Sequence, residues 1–133
     1  MKESARNYEC KIMEKVMKKF NQPILYKCKN GEKLEGGDFM INCNTAFLGT
    51  GPRSNMNAAK KLLKLNLFGT QKVVIIYPIE PDNSMYRIHL DCIFFPFGNK
   101  RCLVWNCLFN SKHKRVCIEY ILQNNNMYKK QEK

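Results

Sequence analysis

The sequence predicts an α+β fold. A β-hairpin, a helix and a buried strand follow one another, and a second hairpin comes after them. Three observations carry this. Two short apolar runs, Phe39 to Ile41 and Ala46 to Leu48, flank the polar turn-like patch Asn42-Cys43-Asn44-Thr45. Met56, Ala59, Leu62, Leu63 and Leu67 then recur near helical spacing. Val73-Val74-Ile75-Ile76 is a continuous β-branched run, the signature of a strand buried on both faces.

Taken in order, residues 1 to 22 read as an amphipathic helix. Tyr8, Ile12, Val16 and Phe20 recur every four residues, Met13 and Met17 widen the stripe, and Lys11, Lys15, Lys18 and Lys19 mark the other face. The expectation is that the stripe packs on a core. Asn21-Gln22-Pro23 ends the helix. Ile24-Leu25-Tyr26 is a short extended run, turned at Lys29-Asn30-Gly31-Glu32. After the first hairpin, Ser54 or Asn55 caps the helix and Phe68-Gly69 ends it.

Pro78 to Ser84 is a loop with two prolines. The second hairpin runs from Arg87 to Phe95 and from Arg101 to Trp105, turning at Phe97-Gly98-Asn99-Lys100. Leu108 to Ser111 is a loop, and His113 to Leu122 fits either a helix or a strand. The tail, Gln123 to Lys133, is Asn/Lys-rich and is expected to be disordered. The organisation is thus a helix over 1–22, a β/α domain over 23–122 built of two hairpin-led modules similar in shape, and a tail over 123–133.

The length, 133 residues, suits one compact domain or part of a larger one. No apolar run approaches the roughly 20 residues of a membrane helix, and Met1 to Arg6 lacks the apolar core of an export signal. The expectations are a cytosolic location and no membrane partner. The seven cysteines form no Cys-x-x-Cys pair and fit no zinc spacing, so they read as free thiols. The formal charge is +12, but the lysines are scattered and no nucleic-acid motif or aromatic-basic interleaving accompanies them. A small basic nucleic-acid-binding protein is therefore the weaker reading.

The residues that suggest chemistry are Glu35, Asp38, Arg53, His89 and Asp91, all at the starts or ends of expected strands. Glu35 and Asp38 bracket two glycines before the first hairpin, and Arg53 stands at its exit. On an extended strand His89 and Asp91 would share a face while Leu90 points away. An imidazole beside a carboxylate can transfer protons, and Glu35 could orient that imidazole and fix its tautomer. Carboxylates grip a planar cation, and an arginine fork grips a carboxylate. Together they suit a zwitterion with a cationic end, such as arginine. A metal site from His89, Asp91 and a cysteine lacks a second histidine at ligand spacing, so no metal is expected.

Leu34-Glu35-Gly36-Gly37-Asp38, the apolar hairpin, Gly49-x-x-x-Arg53-Ser54-Asn55, the helix, the buried strand and His89-Leu90-Asp91 with Ile93-Phe94 come in an order and spacing that resemble the guanidino-group-modifying superfamily. This superfamily includes arginine deiminases, dimethylarginine dimethylaminohydrolases and glycine amidinotransferases. The resemblance covers roughly residues 33 to 106. It implies a pentein-like β/α propeller of five modules around a central site, of which this chain would hold about two ββαβ modules.

The resemblance further implies that Glu35 binds the guanidinium and supports the histidine, and that His89 is the general acid/base. It implies that Asp91 is the second guanidinium-binding carboxylate and that Arg53 holds the substrate's carboxylate. Asp38 belongs to the same motif and is grouped with the substrate-binding residues. No cofactor is implied.

The family's nucleophile is a cysteine in a later module, and none of the seven cysteines stands at its place. Cys92, next to Asp91, would point away from the site on a strand. The chain therefore reads as a fragment or degenerate relative that does not turn over arginine by itself. Its expected partners are a guanidino small molecule and either further copies of itself or a chain supplying the missing modules. A non-catalytic arginine-binding or regulatory module is the alternative.

Overall fold

The computed structural model describes residues 7–29, 31–80, 87–109 and 113–131. The expected helix start before residue 7, Asn30, most of the proline loop and the end of the tail lie outside the described residues. The fold is mixed α+β, with two helices, a five-stranded sheet and a two-stranded hairpin among the described residues.

α1 spans Asn7–Lys19. Asn21 adopts a positive φ of 51°. The amide of Gln22 reaches back to the carbonyl of Met17 at 2.9 Å and that of Asn21 to Lys18 at 3.1 Å. This is a left-handed C-terminal cap on asparagine. The apolar stripe does not pack on a core, contrary to expectation: Tyr8, Ile12 and Phe20 are 70%, 62% and 66% exposed. Residues 24–26 form no strand.

β1 (Phe39–Asn42) and β2 (Thr45–Gly49) form the expected hairpin with a two-residue loop. α2 (Met56–Lys64) carries the chain to β3 (Lys72–Pro78), which runs parallel to β2. Asn55, not Ser54, caps α2, its side chain accepting from the amide of Ala58 at 3.0 Å. The helix ends earlier than Phe68-Gly69, at Lys64, and Asn66 two residues on again has a φ of 51°. The amide of Leu67 there reaches the carbonyl of Leu62 at 3.0 Å.

The expected second ββαβ unit does not form among the described residues. β4 (Phe94–Phe97) and β5 (Arg101–Val104) make the second hairpin. β6 (Arg115–Leu122) then pairs antiparallel with β3 in the first sheet, which settles His113 to Leu122 as largely strand. β7 (Tyr128–Lys130) pairs with β6, so part of the tail is ordered rather than disordered. Tyr128 packs edge-on to Phe68 at 6.0 Å between ring centroids, and its hydroxyl donates to the carbonyl of Thr70. The sheet order is β1-β2-β3-β6-β7.

β3 is buried on both faces from Val73 to Ile76, as its sequence predicts. Val73 and Ile75 join Ala46, Leu48, Ala59, Leu63 and Phe68 under α2. Val74 and Ile76 join Leu90 and Ile93 on the opposite face, with Phe47 and Phe94 alongside. That second layer is the loop 87–93 and the β4–β5 hairpin. Asn42 Nδ2 donates to the Gly98 carbonyl at 2.7 Å, fastening this layer to the sheet, and the Trp105 amide donates to the Ile93 carbonyl at 2.9 Å, closing the hairpin within the layer. No helix among the described residues is long and apolar enough to cross a membrane.

Candidate functional site

The site forms where two short turns meet. Glu35 arrives in extended backbone and is followed by a single 3-10 turn, Gly36–Asp38, leading into β1. His89 is likewise extended and is followed by a 3-10 turn, Leu90–Cys92. His89 and Asp91 therefore do not lie on a strand, and strand alternation does not bring them together. Both close instead on Gly37. A Cβ built at residue 37 would meet His89 Cγ at 2.8 Å, His89 Nδ1 at 2.9 Å and Asp91 Oδ2 at 3.0 Å. Real Cβ atoms make no such contacts, so the bare glycine leaves the space that both side chains occupy.

Glu35 stands at the centre, with its side chain 4% exposed. Its Oε2 accepts from His89 Nε2 at 3.0 Å. An ionised carboxylate accepts only, so Nε2 carries the proton in this contact. The other oxygen, Oε1, faces Arg53 Nη1 at 3.7 Å. That distance is an ion pair rather than a hydrogen bond. Both basic partners are also largely enclosed, with side-chain exposures of 11% for Arg53 and 19% for His89. Charge–charge interactions there are screened far less than on the open surface.

Asp38 lies beneath this group and is buried. Its Oδ2 accepts from the Ser54 hydroxyl at 2.6 Å and its Oδ1 from the Leu90 amide at 2.9 Å. Burial raises its pKa above the usual carboxylate range, and the bonds from Ser54 and Leu90 oppose that shift. Ser54, wholly buried, also accepts the Glu35 amide at 2.9 Å. Gly49 is the second necessary glycine: a Cβ there would stand 2.8 Å from Leu90 Cβ and 3.0 Å from Asp38 Oδ1.

All five residues singled out from the sequence thus gather in one place. Glu35 contacts both His89 and Arg53, Asp91 shares the space over Gly37, and Asp38 is joined through hydrogen bonds. The Cys92 thiol donates to Asp91 Oδ1 at 3.5 Å, so it does not point away as a strand would require. From the sequence Ser54 stands as a helix cap and as a member of the Gly49-x-x-x-Arg53-Ser54-Asn55 motif, with no role in the site. Its adjacency to Arg53 was the available signal, since the chain cannot bring Arg53 to Glu35 without bringing Ser54 near. The beginning of a concave surface, lined by His89, Asp38, Arg87 and Arg115, opens beside the group. Among the described residues, no group of three or more His, Cys, Asp or Glu side chains could hold a metal ion.

The arrangement gathers carboxylates and a proton-carrying imidazole, packed over Gly37 and bordered by the concave surface, with an arginine on the second oxygen of Glu35. It can hold a planar cation and move a proton at its edge. The family model described as Arginine deiminase matches residues 1–133. No curated protein matches the chain.

Proposed function

Because this chain belongs to the arginine deiminase family, we propose that its site takes the guanidino group of arginine or a close relative. The contact of Glu35 with His89 over Gly37, with Asp91 on the same glycine, is the observation that carries this reading. In it, Glu35 and Asp91 hold the guanidinium, His89 moves the proton, and Arg53 binds the carboxylate end. Asp38 supports the same group from below.

The reading extends to the architecture. The β1-β2-α2-β3 unit is one module of a pentein-like β/α propeller, and the chain is a partial propeller of the deiminase or amidinotransferase type. β1 and β7 are the sheet's edges among the described residues, and this supports the reading, as sheet edges invite further strands. Exposed Ile41, Leu103 and Phe109, at 56%, 64% and 80%, support a protein partner, either a second copy or a chain carrying further modules. In this reading the reaction's cysteine nucleophile comes from elsewhere, because the resemblance places it in a later module; Cys92, although it reaches Asp91, is an exposed thiol far earlier in the family's order. The chain by itself would bind arginine without converting it.

Calorimetric titration with arginine tests the reading, with lysine as the control that lacks a guanidinium. The expected result is arginine binding lost in Arg53→Ala and in Asp91→Asn, with no citrulline formed. Equal affinity for lysine and arginine would refute guanidinium recognition. Citrulline formation that depends on His89 would refute inactivity of the chain by itself.

A further inference from the structure

We propose that Ser54 and Asp38 are positioning residues that set the Glu35–His89 contact from below. The inference rests on the reading of that pair given above and adds two residues to its working parts.

The argument follows the hydrogen bonds. The Glu35 amide donates to Ser54 Oγ at 2.9 Å, Ser54 Oγ donates to Asp38 Oδ2 at 2.6 Å, and Asp38 Oδ1 accepts the Leu90 amide at 2.9 Å. One end of this relay is Glu35 itself. The other is the peptide that joins His89 to Leu90, whose planarity transmits its orientation to His89. The relay therefore fixes the backbone on both sides of a contact between residues far apart in the chain. Its polarity is fixed too. The residue at 54 must accept from an amide and donate to a carboxylate, which a hydroxyl does and a methyl does not. Gly49 leaves the room in which Asp38 meets Leu90.

Every atom in the relay is enclosed. Ser54 is 0% exposed and Asp38 5%, so water does not readily replace a lost partner. Asp38 directs one carboxylate oxygen to Ser54 and the other to the backbone beside His89, which suits it to holding the site. Supporting bonds of this kind orient the groups that do the chemistry.

Nitrogen-15 NMR of the histidine rings in the 133-residue chain reads the contact without any ligand. The His89 Nε2–H signal is first identified by its change in Glu35→Gln. Ser54→Thr keeps the relay's polarity and is expected to retain the wild-type signal. Ser54→Ala and Asp38→Asn break it and are expected to move the signal toward its position in Glu35→Gln. They also weaken arginine binding on the order of tenfold, the scale on which supporting residues act. A folded Ser54→Ala with the wild-type His89 signal overturns the proposal, as does a folded Asp38→Asn with that signal.

Amide exchange in the wild type needs no variant: fast exchange at Glu35 or Leu90 overturns it as well. If the wild type binds no arginine, the functional reading fails, while the ring signal and amide exchange still decide the positioning role.

Discussion

Glu35 Oε2 and His89 Nε2 stand 3.0 Å apart although 54 positions separate them in the chain. The same carboxylate faces Arg53, so one buried anion serves two basic groups. Removing one member of a buried charge group leaves the others uncompensated. Glu35→Gln is therefore expected to lower the unfolding free energy by about 3 kcal/mol, read by urea denaturation. A change within about 0.5 kcal/mol, the range of an ordinary surface substitution, would show that the pairs contribute nothing net.

The two adjacent glycines should differ sharply. Gly37→Ala drives a methyl group into His89 and Asp91, whereas a Cβ at Gly36 meets nothing within 4 Å. Overpacking costs about 1–3 kcal/mol, so Gly37→Ala should lower the thermal midpoint and abolish arginine binding. Gly36→Ala should leave both unchanged. Equal behaviour of the two variants would contradict the close approach at Gly37.

Asn55 ties the entrance of the site to α2. Its side chain accepts from the amides of Ala58 and Lys33 and donates to the Gly31 carbonyl. Asn55→Ala should cost about 1–2 kcal/mol, at the upper end for a helix cap. Amide exchange at Lys33 should accelerate along with that at Ala58. Acceleration confined to Ala58 would show that the segment before Glu35 is held by other means.

Glu14 gives a pH signature. Bonds from Lys27 at 2.7 Å and Lys18 at 2.9 Å hold its pKa down to about 2, from an ordinary 4.5. A carboxylate depressed in the folded state stabilises that state above its unfolded pKa and loses the contribution as pH falls toward the folded value. Its share of α1 stability should therefore fade between about pH 4.5 and 2. Carbon-13 titration of the Glu14 carboxyl checks this, and a midpoint near 4.5 would remove the pairing. The contribution is small, since the group is only half-buried and its lysine partners stand in solvent, which screens the pairs.

Much of this was legible in the sequence where periodicity or turn chemistry speaks. β1, β2, α2 and β3 follow from alternation, helical spacing and the β-branched run, because each pattern spans several residues. The gathering of Glu35, Arg53, His89 and Asp91 was legible as a motif order. Its geometry was not: a three-residue turn such as Leu90–Cys92 carries no period, and its partner Gly37 lies far off in sequence. β7 was hidden for a similar reason. Its order comes from Tyr128 reaching Phe68 and Thr70, and local composition does not record such contacts. The exposed stripe of α1 misled in the opposite sense, since amphipathic spacing shows which face is apolar and not what covers it.

β3 is a party wall. Val73 and Ile75 belong to the cluster beneath α2, and Val74 and Ile76 to the cluster that carries Leu90. Substitutions along this one strand should therefore alternate in phenotype with a period of two. Ile75→Val and Ile76→Val should each cost about 1 kcal/mol, yet Ile76→Val should disturb the His89 ring signal and Ile75→Val should not. A strand without chemistry of its own would then sort mutations, residue by residue, into those felt as stability and those felt as function.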